Sequence, residues 1–195
     1  MIYLVRHGET HFNRERRLQG HVDSELTDLG RRQAEAVGAQ LRAMIGAQGG
    51  WRILTSPLGR TRRTADILAR HLGVTDIEIE PRLIEVSWGQ WDGRLRSELA
   101  AAYPDTFGQS NWAFHAPTGE TYEAMRARLS SWLADLPHEG ERRIIAVSHG
   151  VTSRVLRGLY GGLPFETAMK LDVPQDAIFH LAQGEIRRID CALTV

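Results

Sequence analysis

Three short apolar runs constrain this chain more than any other feature: Ile2-Tyr3-Leu4-Val5, Trp51-Arg52-Ile53-Leu54 and Arg143-Ile144-Ile145-Ala146-Val147. Each has the length and the apolar density of a buried strand. Each is also followed by a stretch with helical signals. After the first comes a polar loop, then Thr27-Asp28, which reads as a helix start with an acidic first turn. Ala34, Val37, Leu41 and Met44 recur at helical spacing, and Gly49-Gly50 is the expected stop. After the second run, Ser56-Pro57 opens a helix whose Thr61, Ala65, Leu68 and Leu72 share a face, ended by Gly73. After the third, a Gly150 turn leads into a helix over about 151–160. Alternating strands and helices imply a layered α/β fold with a mostly parallel sheet, since each parallel connection needs a crossover packed on the sheet.

The remaining segments fill in this frame. Residues 77–83 look extended, and Thr118 is the expected cap of a helix whose Tyr122, Met125, Leu129, Trp132 or Leu133, and Leu136 line one core-facing side. Residues 169–173, 177–182 and 185–189 read as closing strands, the last two forming a hairpin about Gln183-Gly184. Tyr103 to Pro117 is the least regular stretch, a candidate lid or substrate loop. No repeat, low-complexity tract or linker divides the chain, so residues 1–195 read as a single domain.

Charge and composition narrow the function. With 24 basic and 24 acidic residues the net charge is zero, which argues against nucleic acid or anionic membrane as a partner. No apolar run approaches the roughly 20 residues of a membrane span, and Ile2 to Val5 is too short for a signal peptide, so a cytoplasmic protein is expected. Cys191 is the only cysteine, which leaves no intrachain disulfide and no thiol-based metal site; it reads as a buried or half-buried strand residue. All the basic residues except Lys170 are arginines. Arginine grips phosphate with a planar fork, so their positions matter. A homodimer through an edge strand or helix is compatible with the sequence, which does not specify oligomeric state.

Three chemically loaded segments directly follow the three apolar runs: Arg6-His7-Gly8-Glu9-Thr10, Ser56-Pro57-Leu58-Gly59-Arg60-Thr61 and Ser148-His149-Gly150. Ligands of open α/β sheets sit at the carboxyl ends of strands, so these segments are expected to share one crevice. Two arginines and two histidines at a helix N-terminus make a phosphate site in physical terms. Neutral imidazole can attack phosphorus and split one hard displacement into two easier ones. Phosphoryl transfer then needs mainly positioning and charge stabilisation, which the arginines supply.

Taken singly, His7 or His149 would read as a structural histidine and Arg60 as a solvated first-turn residue, as Arg62 and Arg63 do; the set of four favours function. His7 and His11 have a zinc spacing for a helix, but the segment follows a strand and Glu9 is misplaced for a zinc-protease motif, so no metal is expected. Neither a Walker loop nor a dinucleotide fingerprint occurs. Trp88, Trp91 and Trp112, with His115, fit either a substrate pocket or ordinary packing. A leaving alkoxide needs a proton donor, and the residues alone leave Glu85 and Asp92 both open.

Arg6-His7-Gly8-Glu9-Thr10 with Asn13 resembles the signature of the histidine phosphatase superfamily, the phosphoglycerate mutase-like family. The resemblance continues through Leu18-Gln19-Gly20, Asp23, Leu26-Thr27, Gly30 with Gln33-Ala34, Ser56-Pro57-Leu58 with Arg60-Thr61, and Thr64-Ala65. It extends through Leu83, Glu85, Gly89, Trp91 and Gly93 to Ser148-His149-Gly150 with Arg154, in the family's order over most of the chain. It implies a three-layer α/β/α sandwich and a phosphorylated His7. In that reading Arg6 and Arg60 clamp the phosphoryl oxygens, His149 donates to the transferring group, and Glu85 is the general acid and base. Asn13 lines the phosphate pocket, Gln19 and Gly20 border the substrate side, and Gly150 lets backbone approach the anion.

The family contains phosphatases and mutases. This chain is short between Gly93 and Trp112 and after its closing hairpin, where mutases look longer, so a phosphatase acting on a small phosphorylated substrate without cofactor is expected. Asp92, in Trp91-Asp92-Gly93, stands where the family more often shows glutamate, which leaves the substrate open. The alternatives are mutase-type phosphoryl transfer and a non-catalytic phosphate- or phosphopeptide-binding module. The presence of nucleophile, both arginines, second histidine and acid argues against the last.

Overall fold

A computed structural model describes residues 1–46 and 49–193. Six strands form one mixed sheet in the order β3-β2-β4-β1-β5-β6. They are β1 (Ile2–Arg6), β2 (Arg52–Thr55), β3 (Ile77–Ile79), β4 (Ile144–Ser148), β5 (Ala177–Ala182) and β6 (Glu185–Asp190). The first four are mutually parallel, and β5 and β6 run antiparallel at one edge. The hairpin turns at Gln183 and Gly184, both at positive φ (53° and 76°), as a two-residue turn between twisted strands requires.

Successive strand residues point to opposite faces, and both faces are covered. After the one-turn α1 (His11–Arg14), the chain covers one side of the sheet: Tyr3, Val5, Ile53, Ile145 and Val147 pack against Val37 and Leu41 of α2 (Asp28–Ile45) and Leu68 of α3 (Gly59–Leu72). Ile2, Leu4, Leu54, Ile144 and Ala146 pack on the other with α6 (Tyr122–Ala134) and α7 (Gly150–Tyr160). This is the three-layer α/β arrangement. From α6 the buried residues are Met125, Leu129 and Trp132, the stripe expected from periodicity.

Several boundaries differ from the sequence expectation, each for a local reason. α2 ends at Gly46, not Gly49-Gly50: Gly46 takes φ 62° and closes the helix on Arg42 O. Residues 77–83 are extended only to Ile79 and then turn through Pro81–Leu83. α3 begins at Gly59 rather than at Ser56-Pro57, and the Asp23 carboxylate accepts from Arg60 N (3.1 Å) in place of a local cap. Thr121, not Thr118, caps α6. Thr118 is held at φ 61° where the chain crosses Gly89, so closely that a Cβ on Gly89 would lie 2.5 Å from Thr118 Oγ1.

Residues 169–173 form no strand. α8 (Phe165–Met169) fills the start, and the carbonyls that follow are taken by guanidinium groups rather than a ladder. Arg154 donates to Leu171 O (2.6 Å), Arg157 to Asp172 O (2.5 Å) and Arg6 to Val173 O (2.6 Å). The irregular 103–117 stretch contains the one-turn α5 (Pro104–Phe107), after α4 (Arg96–Ala102), and a 3-10 turn at Trp112–Phe114. Trp88, Trp91, Phe107 and Trp112 stack into the core here. Cys191 is buried but lies just beyond β6 rather than in a strand, with its N–H donated to Asp176 O (2.8 Å).

The topology marks one edge of the sheet as its ligand side. α2 leaves β1 for one face while α7 leaves the adjacent β4 for the other, which makes β1/β4 the switch point where such sheets bind ligands. Gly8 and Gly30 cross there: a Cβ on Gly8 would sit 2.1 Å from Gly30 O, and one on Gly30 2.0 Å from Glu9 O. We expect Gly8→Ala to destabilise the fold by about 3 kcal/mol or more, at the upper end of overpacking costs. Urea unfolding measures this, and a midpoint like wild type would show that the crossing can relax.

Candidate active site

The register brings the three loaded segments together. Arg6 pairs with Ser148, and Thr55 with Val147, at the ends of three neighbouring parallel strands. One residue further on, His7 N donates to Ser148 O (3.0 Å) and Ser56 N to Val147 O (3.1 Å). The rings of His7 and His149 consequently lie edge to face, 5.2 Å apart, and both are buried.

The hydrogen bonds decide each imidazole's tautomer. His7 Nδ1 lies 2.8 Å from Gly8 O. A carbonyl only accepts, so Nδ1 carries the proton and Nε2 keeps a free lone pair. Burial first, then the positive charges of Arg60 and Arg6, hold His7 well below the usual histidine range, so it is neutral. His149 is held low by burial first, then by Arg60. Its Nδ1 accepts from Arg60 Nε (3.3 Å), so its Nε2–H donates to Ser56 Oγ (2.7 Å).

These two rings make stability depend on pH. An unfolded histidine titrates near 6.5, whereas both of these stay neutral to lower pH in the fold. Below about pH 6.5 the unfolded chain therefore binds more protons, and stability falls with pH by about 1.4 kcal/mol per unit for each histidine. It is fully present above that pH. Denaturant midpoints between pH 7.5 and 5 should show this loss, and His7→Gln should remove part of the slope; an unchanged slope would mean that His7 protonates freely in the fold.

The arginines differ in how their donors are used. Arg60, 1% exposed, donates to Gly20 O (2.7 Å), Val22 O (3.0 Å) and His149, and faces Asp23 Oδ1 at 3.5 Å. With the Asp23 contact counted, one of its five N–H groups, on Nη2, has no partner among the described residues. Arg6 gives one bond to Val173 O, while its Nε is buried without a partner among the described residues. Burial pushes Arg6 down to about 10, with the Glu85 carboxylate opposing, so it remains charged at neutral pH. Gly150 leaves space over this guanidinium: a Cβ there would be 3.6 Å from Arg6 Nε.

Glu85, 6% exposed, reaches the N-terminus of α7. Its Oε1 accepts from Thr152 N (3.0 Å) and Val86 N (3.0 Å), and its Oε2 from Val151 N (3.2 Å). His149 offers α7 no side-chain cap, so Glu85 supplies it and is oriented by it. Asp92 is engaged elsewhere. Its carboxylate accepts from Trp88 N (3.0 Å) and His21 N (3.3 Å), tying the Gln19–Asp23 loop down. Gln19 is buried with Oε1 unpartnered, and Gly20 takes φ 50° with its Cα against Asp92.

Sequence reasoning missed Gln175 and gave Ser56 no role of its own. Gln175 Nε2 approaches both His7 O (3.2 Å) and Asn13 Oδ1 (2.9 Å). Thr10 N also donates to Asn13 Oδ1 (3.2 Å), which fixes the amide with Nδ2 free to donate elsewhere. Gln175 lies between a helix and a strand in no motif, so nothing in the sequence marks it. We expect Gln175→Ala to lower kcat about tenfold by loosening this geometry. Wild-type kcat in that variant would deny Gln175 a positioning role.

Residues 2–188 match the histidine phosphatase superfamily, branch 1. The chain belongs to the histidine phosphatase superfamily. It is 38% identical over 177 residues to a probable phosphoglycerate mutase GpmB of Cronobacter sakazakii, covering 84% of this chain and 75% of that one. The corresponding protein of Erwinia tasmaniensis is 36% identical over 174 residues, covering 87% and 79%. Among solved structures, the product of open reading frame Rv3214 of Mycobacterium tuberculosis superposes with a TM-score of 0.78 at 30% identity, covering 99% and 97%. A mycobacterial glucosyl-3-phosphoglycerate phosphatase, Rv2419c, gives 0.76 at 27%, covering 97% and 96%. The superfamily thus joins relatives named as mutases and as phosphatases around one fold. Among the described residues no three His, Cys, Asp or Glu side chains group as metal ligands, and no helix is long and apolar enough to cross a membrane.

Proposed function

We propose that this protein is a phosphomonoester hydrolase that works through a phosphohistidine on His7 and needs no metal. One observation carries the reading. The neutral His7, with its Nε2 lone pair free, directly follows Arg6, whose buried Nε–H has no partner among the described residues. A buried charged donor left unsatisfied is costly, and a phosphoryl oxygen fits it.

In the first step His7 Nε2 bonds to phosphorus as the ester P–O bond breaks, and Glu85 gives a proton to the leaving oxygen. In the second, Glu85 takes a proton from water, the water oxygen bonds to phosphorus, and the N–P bond breaks to release inorganic phosphate. Arg6 Nε–H and the remaining Nη2–H of Arg60 hold the phosphoryl oxygens. His149 shares its Nε2–H between Ser56 Oγ and one of those oxygens, and Asn13 Nδ2 donates to another. Gly150 gives the anion room above Arg6, while Gln19 and Gly20 border the leaving group.

Transfer to a second hydroxyl, as in a mutase, is the competing reading, and the names of the GpmB relatives favour it. Against it stands the brevity of the stretch between Tyr103 and Pro117, which holds a single helical turn and a 3-10 turn. Excluding water usually takes more structure. Incubation with a phosphomonoester in excess chelator decides between them. Hydrolysis yields inorganic phosphate at full rate, and acid quenching destroys a label on the protein that alkali preserves. Isomerised ester without free phosphate would establish the mutase, and dependence on added metal would overturn the metal-free mechanism.

A further inference from the structure

One face of α7 serves a single irregular segment. Gly150, Arg154 and Arg157 stand at positions i, i+4 and i+7, so they share that face. Against it runs the strap 171–175, between α8 and β5. From Leu171 N to Asp176 O no backbone–backbone hydrogen bond holds the strap among the described residues. Side chains hold its carbonyls instead: Arg154 Nε donates to Leu171 O (2.6 Å), Arg157 Nη2 to Asp172 O (2.5 Å) and Arg6 Nη1 to Val173 O (2.6 Å). Of the three arginines, Arg6 is the phosphoryl ligand of the proposed mechanism. Its guanidinium is set by a carbonyl whose own place depends on the residue before it.

Arg157 is costly where it stands. It is 2% exposed, with its guanidinium 3.7 Å over the centre of the Phe179 ring. Burial pushes it down to about 10 while the Asp172 carboxylate opposes, so it remains charged at neutral pH. A methionine would fill the same space over Phe179 without burying a charge. What only the arginine supplies is its donors. Nε donates to Ser153 O (3.2 Å), Nη2 to Asp172 O, and Nη1 faces Asp172 Oδ1 at 3.8 Å. Arg188 of β6 pairs with the same carboxylate. Asp172 is thus gripped at both carbonyl and carboxylate, one residue from the carbonyl that holds Arg6. Two residues beyond that carbonyl, Gln175 reaches His7 O and Asn13 Oδ1.

We infer that Arg157 is a positioning residue for phosphoryl binding: it fixes Asp172 and, through Val173 O, aims the Arg6 guanidinium at the phosphoryl group. The inference rests on Arg6 as a phosphoryl ligand and is tested by binding, apart from hydrolysis. The probe is orthovanadate, an analogue of the five-coordinate phosphoryl group, titrated calorimetrically in chelator. The proteins are wild type, Arg157→Met, Arg157→Lys, Arg6→Ala and the variant carrying both Arg6→Ala and Arg157→Met. A urea transition checks that each is folded; should methionine unfold the protein, Arg157→Gln goes through the same cycle. Arg157→Met should weaken vanadate binding about tenfold, less than the roughly 100-fold that a misplacement of about 1 Å can cost. Arg157→Lys, which can still donate to Asp172 O, should recover most of the loss. In Arg6→Ala protein the same methionine should change binding by less than about twofold, because the group it positions is gone. Equal losses in the two backgrounds would overturn the inference and make Arg157 a general support of the fold. Unchanged binding in folded Arg157→Met protein would overturn it too. Wild-type protein that binds vanadate with this pattern but hydrolyses no nitrophenyl phosphate would remove the hydrolase reading and leave the positioning role standing.

Discussion

Replacing His7 with alanine should lower phosphomonoester turnover by about 10 000-fold or more and abolish phosphate labelling of the protein. The size follows from the geometry. Of the two imidazoles, His7 presents an uncharged Nε2 lone pair with no hydrogen-bond partner among the described residues. His149 uses one nitrogen to accept from Arg60 and the other to donate to Ser56. No second nucleophile of the cluster stands ready to take over. The variant should stay folded, because the His7 side chain makes a single bond, to the carbonyl of its own neighbour. Turnover above about one per cent of wild type, in protein with a normal unfolding transition, would move the nucleophile elsewhere.

Glu85→Gln should divide substrates by leaving group. Proton donation in the transition state contributes about 100- to 10 000-fold, so an alkyl phosphate should lose that much in kcat. A nitrophenyl phosphate, whose leaving group departs without a proton, should lose less than about tenfold in the step that forms the phosphoenzyme. The comparison matters because Glu85 also caps α7 through Val151 N and Thr152 N, and an amide would set N–H groups against those donors. Damage to the cap slows both esters alike, whereas loss of a proton donor slows only the alkyl ester. Equal losses would reduce Glu85 to a structural cap and reopen the search for the acid.

Much of this protein was legible before folding was considered. The apolar runs at Ile2, Ile53 and Ile144 mark strands because a stretch that short and that apolar is stable only with both faces covered. The chemistry directly after each run then follows from the strand-end rule. Errors gathered where local signals compete with tertiary ones. Residues 169–173 look like a strand, but three arginines from other elements take their carbonyls. Thr118 looks like a cap, yet the close crossing at Gly89 claims it.

By itself, then, the sequence determined which residue types meet at the strand ends, since period and spacing are properties of a linear chain. Only the tertiary structure decided their states. It set the proton on Nδ1 of His7 and on Nε2 of His149, put Glu85 rather than Asp92 on the end of α7, left Arg6 Nε without a partner, and recruited Gln175 across 168 residues to the His7 carbonyl. Tautomer, charge state and unsatisfied hydrogen bonds depend on burial and on partners distant in the chain, and neither exists until the layers close.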